Sequence, residues 1–417
     1  MCASIFAAQA GAKALILERN TTAGRKLLRT GRGRCNLTHT GSVENFVKAY
    51  GPFGRFLKHS LYEFSADDLR QYFARRGLKT RTEEDGCVFP QTDRAADVAR
   101  ILLDHAQILP VRFLYGRTVR SIEKKQDGFV ALADKETVLA KAVIIATGGV
   151  TWPATGSTGD GYQFAKSFGH TIVAPRASLA PLVTAETWPA RRRKASLPGL
   201  TGLAGVAVPH VVIKARIANR RLSASGPLMF TGNGIGGPAA LDFSRLITDF
   251  LPDYANPIKA AIDLMPQYQI DQLDKKILSL CSQHPKKTPP AALANLLPRS
   301  LLSSLFSQVD PSETILAGQL PREPRMRLVK MLKELPLSIV ATCPIAQATV
   351  TRGGICTKEI DPKTMESRLC PGLFLAGEVI NADGPCGGYN LQIAFSTGHL
   401  AGKAAAQKLL ADSPANR

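Results

Sequence analysis

Ala12-Lys-Ala-Leu-Ile-Leu-Glu18 is a short apolar run that ends in an acid. Such a run reads as a parallel strand buried on both faces. Ahead of it, Met1–Ala10 is small and apolar enough for a helix, and Gly11 suits the end of that helix. Helix, glycine turn and buried strand closed by a carboxylate match the second half of a βαβ nucleotide-binding unit, where the acid accepts hydrogen bonds from ribose hydroxyls. A Gly-x-Gly-x-x-Gly turn belongs about 20 residues before such an acid. Counting back from Glu18 places that turn at or before Met1. The expectation is a chain begun at an internal methionine, or shortened by about 10–15 residues, without its first strand and phosphate-binding glycines. Taken alone, the half-motif fits any buried strand that ends in Glu equally well.

Two further stretches strengthen it. Val143-Ile-Ile-Ala-Thr147-Gly148-Gly149 is a strand running into a tight glycine turn, where backbone approaches a cofactor closely. Leu373-Phe-Leu-Ala-Gly377-Glu378 is a second, followed by Gly387-Gly388-Tyr389-Asn390 and an Ala-rich helix. The exposed N–H groups of a helix N-terminus stabilise negative charge, such as that at N1/O2 of a reduced flavin. An enzyme using NAD alone needs neither stretch; a flavoprotein with two dinucleotide folds needs both. A fourth piece, Gly24-Arg25-Lys26-Leu-Leu-Arg29-Thr30-Gly31-Arg32-Gly33-Arg34-Cys35-Asn36-Leu-Thr38, carries five cations and no acid. Cations on a glycine-rich loop suit a pyrophosphate or an RNA phosphate, with a solvated basic loop as the alternative.

These stretches resemble the YhiN/BaiN-type flavoproteins, also called the aminoacetone-oxidase-family FAD-binding enzymes. The resemblance rests on Gly24-Arg-Lys through Arg34-Cys35-Asn36-Leu-Thr38, Ile145-Ala-Thr-Gly-Gly149, Gly156-Ser-Thr-Gly-Asp-Gly161, Phe230 through Pro238, and Ala376-Gly-Glu378 through Asn390. It runs in order over nearly the whole chain. It implies an α/β fold: a Rossmann-like FAD-binding domain of the two-dinucleotide-fold type, interrupted by a β-barrel insert and a helical subdomain. It also implies that Glu18 holds the adenosine ribose, Arg25 and Lys26 sit near the cofactor, and Val119 offers backbone to adenine. Gly33, Arg34 and Asn36 belong to the same cofactor loop. Thr147, Gly148 and Gly149 would pass the FAD backbone, and Gly377, Glu378, Gly387, Gly388, Tyr389, Asn390 and Leu391 would contact ribityl chain and flavin.

Texture along the chain supports that division. Residues 1–175 with 343–417 alternate short strands and helices. Residues 176–245 with 335–342 are rich in Val, Pro and Gly, and alternate at Val206–Lys214. Residues 246–334 show helical spacing punctuated by prolines. Ser65 is expected to cap a helix reaching about Arg76, and Asp93 one reaching Gln107. Val111–Lys124 and Gly128–Val138 look like paired strands.

With 417 residues, 45% of them hydrophobic and 21% charged, the chain is large enough for two or three domains and a sizeable core. That argues against disorder. No apolar stretch approaches the ~20 residues of a membrane span. Eight cysteines without a Cys-x-x-Cys, and no signal-peptide layout, point to reduced thiols and a cytoplasmic setting. The seven histidines form no convincing ligand set, so no metal is expected.

The charge is +20, from 53 basic and 33 acidic residues. The excess is +9 in residues 1–175, +10 in 176–342 and +1 in 343–417, so it is not one tail. A polyanionic partner is favoured over a merely solvated basic surface only on this ground. Arg191-Arg-Arg-Lys194 and Arg322/Arg325/Arg327/Lys330 are the expected grips.

A flavin carries the redox step, and the protein orients it and supplies a proton. The resemblance covers reduction of bile-acid enones, oxidation of aminoacetone, and dihydrouridine formation in ribosomal RNA. Enone and uracil reduction share one logic: hydride to the β-carbon (C6 of uracil) and a proton to the α-carbon (C5). Cys35, with Cys386 and Tyr389 behind it, is the candidate acid. Packing cysteines and a core tyrosine are the plainer alternatives. The leading expectation is NAD(P)H-driven reduction of uridine in ribosomal RNA or its precursor. The second is an FAD oxidoreductase for a small carbonyl or amine, and the third a non-catalytic FAD- or RNA-binding protein. No second nucleotide fingerprint exists, so NAD(P)H would dock transiently over the flavin.

Overall fold

The computed structural model describes residues 1–186, 202–217, 219–251, 256–310 and 314–411. Contacts divide the chain into one unit of Met1–Arg176 with Thr349–Arg417 and another of Ala177–Ala348.

In the first unit, helix Cys2–Gln9 leads through Gly11, at φ +96°, into strand Ala14–Glu18. That strand pairs in parallel with Val111–Tyr115, Ile16 opposite Phe113. Strand Val143–Ile145 pairs in parallel with Leu373–Leu375. The parallel sheet thus exists as two separate pairs. This corrects the expectation of strands buried on both faces: Leu15 is 39% exposed, and Ala146 and Thr147 are exposed. Each of these strands has one neighbour where a central strand has two, which leaves an edge open.

The 23-residue helix Tyr389–Ala411 packs on the N-terminal helix through small residues. A Cβ on Gly402 would lie 2.1 Å from the carbonyl oxygen of Ala3, so only glycine permits that approach. Ile145, Phe374, Leu375, Ile393 and Leu400 fill the space between sheet and helix. Helix Ala66–Ala74 begins at Ser65, whose hydroxyl and Asp68 form a reciprocal capping box. Helix Ala95–Gln107 lacks the expected cap: Asp93 sits at φ +53° and accepts from Arg81 Nη1 at 2.6 Å instead. The expected long strand Val111–Lys124 breaks at Gly116, at φ +63°. Beyond it, Val119–Lys125, Gly128–Ala133 and Glu136–Ala140 form an antiparallel meander.

The second unit is a closed six-stranded barrel in the order Leu182–Thr184, Gly234–Gly236, Arg220–Thr231, Ala207–Ile217, Ile258–Asp263, Leu335–Thr342. The alternation read at Val206–Lys214 puts Val211, Ile213 and Ile217 inside. Helices Pro238–Ile247, Ile270–Gln283, Arg299–Phe306 and Arg322–Lys333 accompany it. One core joins the two textures: Ile213, Phe230 and Ile262 from strands pack with Phe243, Ile277, Leu301 and Val329 from helices. Residues 246–334, the expected helical subdomain, fall in the same unit as the barrel; helix Arg322–Lys333 packs on strands Ile258–Asp263 and Leu335–Thr342, and the other helices pack chiefly on one another. No helix among the described residues is long and apolar enough to cross a membrane.

Candidate active site

The C-terminal ends of the two parallel pairs carry the site. Glu18 closes its strand, and its Oε1 accepts from the backbone N–H of Asn20 at 2.9 Å and from Asn20 Nδ2 at 2.8 Å. Arg25 Nη1 donates to Asn20 Oδ1 at 2.9 Å, which ties the basic loop to this corner. The Arg117 amide donates to the Glu18 carbonyl at 3.0 Å, placing Val119 two residues from the same corner. Glu18 thus has one oxygen fixed by its own turn and the other free of protein partners among the described residues.

At the middle of the site, Lys26 and Glu378 form an ion pair at 2.5 Å. Lys26 Nζ also donates to Thr151 Oγ1 at 2.8 Å. Glu378 Oε1 accepts from the Thr351 amide at 2.9 Å and the Thr151 hydroxyl at 3.2 Å. Thr351 Oγ1 in turn accepts from the Val150 amide at 3.0 Å. Gly149 is obligatory: a Cβ there would meet Thr351 Oγ1 at 2.2 Å. Gly148, at φ +78°, and Gly377, at φ +75°, turn backbone where side chains are strained. Thr147 is exposed beside them.

At the helix end, Gly388, at φ +94°, presses on Thr38: a Cβ would lie 2.3 Å from the Thr38 carbonyl oxygen. With its carboxamide turned to suit its neighbours, Asn36 donates to the carbonyls of Thr38 (2.9 Å) and Val88 (3.1 Å) and accepts from the Gly388 amide at 3.2 Å. Asn390 Oδ1 accepts from the Gly384 amide at 2.9 Å, and its Nδ2 donates to the Gly384 carbonyl at 2.9 Å. The Tyr389 ring stacks on His39 with centroids 4.9 Å apart, and the Tyr50 hydroxyl donates to its carbonyl at 2.9 Å. Gly387 faces Cys87 and His39, each 3.4 Å from its would-be Cβ. Leu391 packs with the cluster of Ile5, Leu37 and Phe73.

Three expectations change. Cys35 has no exposed surface, lies in the core with Leu37 and Phe73, and burial pushes its thiol up to about 12. A thiol held there packs and does not reach a substrate. The Arg34 charge is spent on Glu83 at 2.8 Å and Asp93 at 3.8 Å, over the ring of Phe89, so it is not aimed at a cofactor. Gly33, at φ +88°, serves the turn and has open space around its would-be Cβ. Cys386 is half-buried beside Gly387. Sequence reasoning missed Thr151, Thr351, His39 and Tyr50; none sits in a glycine motif, and their roles arise from pairing across the unit.

One other constellation carries the look of chemistry. His170 lies between Ser367 Oγ (2.7 Å) and Glu359 Oε2 (3.2 Å). Ser367 also accepts from the amides of Leu369 and Cys370, at 3.1 and 2.9 Å, and is 5% exposed. Its oxygen is saturated and sheltered, so the trio clasps a turn and is not a nucleophilic triad.

The residues present fit the ribose, ribityl and flavin parts of FAD: a carboxylate with an open oxygen at a strand end, glycine turns, and a helix N-terminus. Together they define a flavin-dependent oxidoreductase on an interrupted dinucleotide fold. The HI0933-like protein Rossmann domain family matches residues 1–404, and the chain belongs to that family. It is 32% identical to a 3-dehydro-bile acid delta(4,6)-reductase of Clostridium scindens, over 95% of this chain and 93% of that protein. It is 30% identical to the ribosomal RNA dihydrouridine synthase of Escherichia coli, over 95% and 93%. The protein of that name from Haemophilus influenzae is 29% identical over 94% and 92%.

Proposed function

We propose that the protein reduces an activated C=C bond with NAD(P)H as electron donor, and that its substrate is uridine in ribosomal RNA. Bound FAD supplies the hydride chemistry. Glu18 holds the ribose, and the Lys26–Glu378 pair with Thr151 and Thr351 fixes the turns that face the cofactor. The first N–H groups of helix Tyr389–Ala411 stabilise negative charge at its N-terminus. With Cys35 buried, Cys386 and Tyr389 remain as holders of the proton for the α-carbon.

The observation that carries the RNA substrate is surplus cation without acidic partners. Of the five cations in the glycine-rich loop, Arg29 and Arg32 are exposed and make no ion pair among the described residues. A bile acid or aminoacetone needs one or two charges, whereas the chain carries +20. Polyanions bind such surfaces by releasing counterions. The dihydrouridine content of ribosomal RNA in cells lacking the protein is the test: one missing dihydrouridine is expected, and unchanged content removes this substrate.

The bile-acid reductase relative favours a second reading, a small enone as substrate. Turnover of such an enone that does not respond to salt, by a protein that ignores RNA, would select it.

A further inference from the structure

Of the four RNA grips expected on helix Arg322–Lys333, two are spent on neighbouring acids. Arg191–Lys194 lies outside the described residues. On helix Arg322–Lys333, Arg325 is bound by Asp274 at 2.6 and 3.3 Å, and Arg327 pairs with Glu323. Arg322 and Lys330 stay exposed with no ion pair among the described residues, and a second set of such cations stands on the hairpin of Ala207–Ile217 and Arg220–Thr231.

Register fixes its outward face. Arg216 lies opposite Arg221, Lys214 opposite Ser223, and Val212 opposite Ser225. Lys214, Arg216, Arg221, Ser223 and Ser225 are all exposed, while Val211, Ile213 and Ile217 point into the barrel. Arg220 adds a fourth exposed cation at the turn. The three arginines make no ion pair among the described residues. Lys214 approaches only Asp263, at 3.6 Å, and Asp263 is already held by Lys333 at 2.8 Å. Like charges directly opposite each other on a ladder are destabilising. Nothing in the fold calls for Arg216 and Arg221 to face each other, whereas an anionic partner relieves their repulsion.

We propose that this ribbon is a docking surface for the phosphodiester backbone of folded RNA; the assignment rests on the RNA reading above and says which surface of the chain meets that substrate. Cations two residues apart along neighbouring strands present a double row of charge, and Ser223 and Ser225 offer hydroxyls to phosphate oxygens. Around Lys214, Arg216, Arg221, Ser223 and Ser225 the outward row carries no aromatic ring, His210 lying further along it, so this patch does not stack on bases and reads no sequence. The hairpin's large exposed apolar side chain, Met229, stands at the far end of the strand opposite Ala207, and a single such side chain falls short of the apolar face that a surface inserting into lipid requires.

The test measures binding of the flavin-loaded full chain to protein-free ribosomal RNA, to a short RNA duplex of arbitrary sequence, and to phosphatidylserine vesicles, over a range of salt. The variant carries Arg216→Gln, Arg220→Gln and Arg221→Gln. A control carries Arg75→Gln, Arg112→Gln and Arg299→Gln, three exposed arginines elsewhere. For both RNAs, the slope of log affinity against log salt should shrink by about two to three in the variant, at roughly 0.9 per phosphate contact. The control should keep its slope, and flavin absorbance should be equal in all three. Steep RNA binding that both variants retain overturns the surface and leaves the RNA reading intact. Equal loss in variant and control overturns it too, since net charge alone then explains binding. Wild-type protein that ignores RNA, or prefers the vesicles, ends both the surface and the reading.

Discussion

Lys26 and Glu378 stand 352 residues apart in sequence and 2.5 Å apart in space. Glu378→Gln keeps the shape and removes the charge that Lys26, Thr151 and the Thr351 amide all address. A hydrogen bond to a charged group contributes about 1.5–3 kcal/mol, so the variant should lose roughly that in stability by urea unfolding. Glu18→Ala should cost some stability through the two lost Asn20 hydrogen bonds and weaken FAD binding by about 10- to 100-fold, on the same energy scale, read from flavin fluorescence on titration. His105, His170 and His399 are all held below the ordinary histidine value of 6.5, chiefly by burial. The folded state then binds fewer protons than the unfolded chain. The histidine contribution should be complete above about pH 6.5 and be lost as pH drops below it, visible as a lower urea midpoint at acid pH. The strand end at Glu18 was legible in sequence from the apolar run that leads into it. Cys35 was not: five neighbouring cations suggest an exposed thiolate, but the left-handed turn at φ +64° folds the thiol inward.

At the level of elements, glycines were the most readable feature, and they separate into two kinds. Gly388→Ala drives a methyl into the Thr38 carbonyl as well as straining φ. Gly116, at φ +63°, has nothing within 4 Å of its would-be Cβ. Gly116→Ala should cost about 1–2 kcal/mol, the penalty of a left-handed alanine; Gly388→Ala should cost more and also release flavin, both measured by chemical unfolding and by absorbance of the purified protein. Helix starts were partly legible. Ser65 caps as its spacing with Asp68 predicts, whereas Asp93 is drawn away by Arg81, a partner that no local pattern announces. The long strand expected through Val111–Lys124 failed for a similar reason: Gly116 permits a turn, and alternation alone does not say where one strand stops.

Across the whole molecule, the change of texture near residue 176 falls where contacts divide the chain, between Arg176 and Ala177, and residues 246–334 share a unit with the barrel. Strand and helix patterns describe faces, and only packing says which faces share a core. Because Leu182 through Ile339 form one core, residues 177–348 should fold alone, with cooperative unfolding by circular dichroism. A fragment that stays unfolded would show that this core needs the rest of the chain. Net charge was readable at once, but the residues that express it were not. Arg325 and Arg327 are neutralised by neighbours, while Arg216 and Arg221 are set against each other by a strand register invisible in composition.

The Cys2 thiol donates to the carbonyl of Phe395, 393 residues away. Ribosomes add about 5–20 residues per second, so the opening helix waits on the order of 20–80 s for the helix it packs against. Throughout that interval the nascent chain displays the apolar flank of Ile5 and Ala8 to solvent or to a holding chaperone. Cofactor loading belongs after release of the finished polypeptide, and a chain stalled shortly before its last helix should emerge colourless and prone to clump.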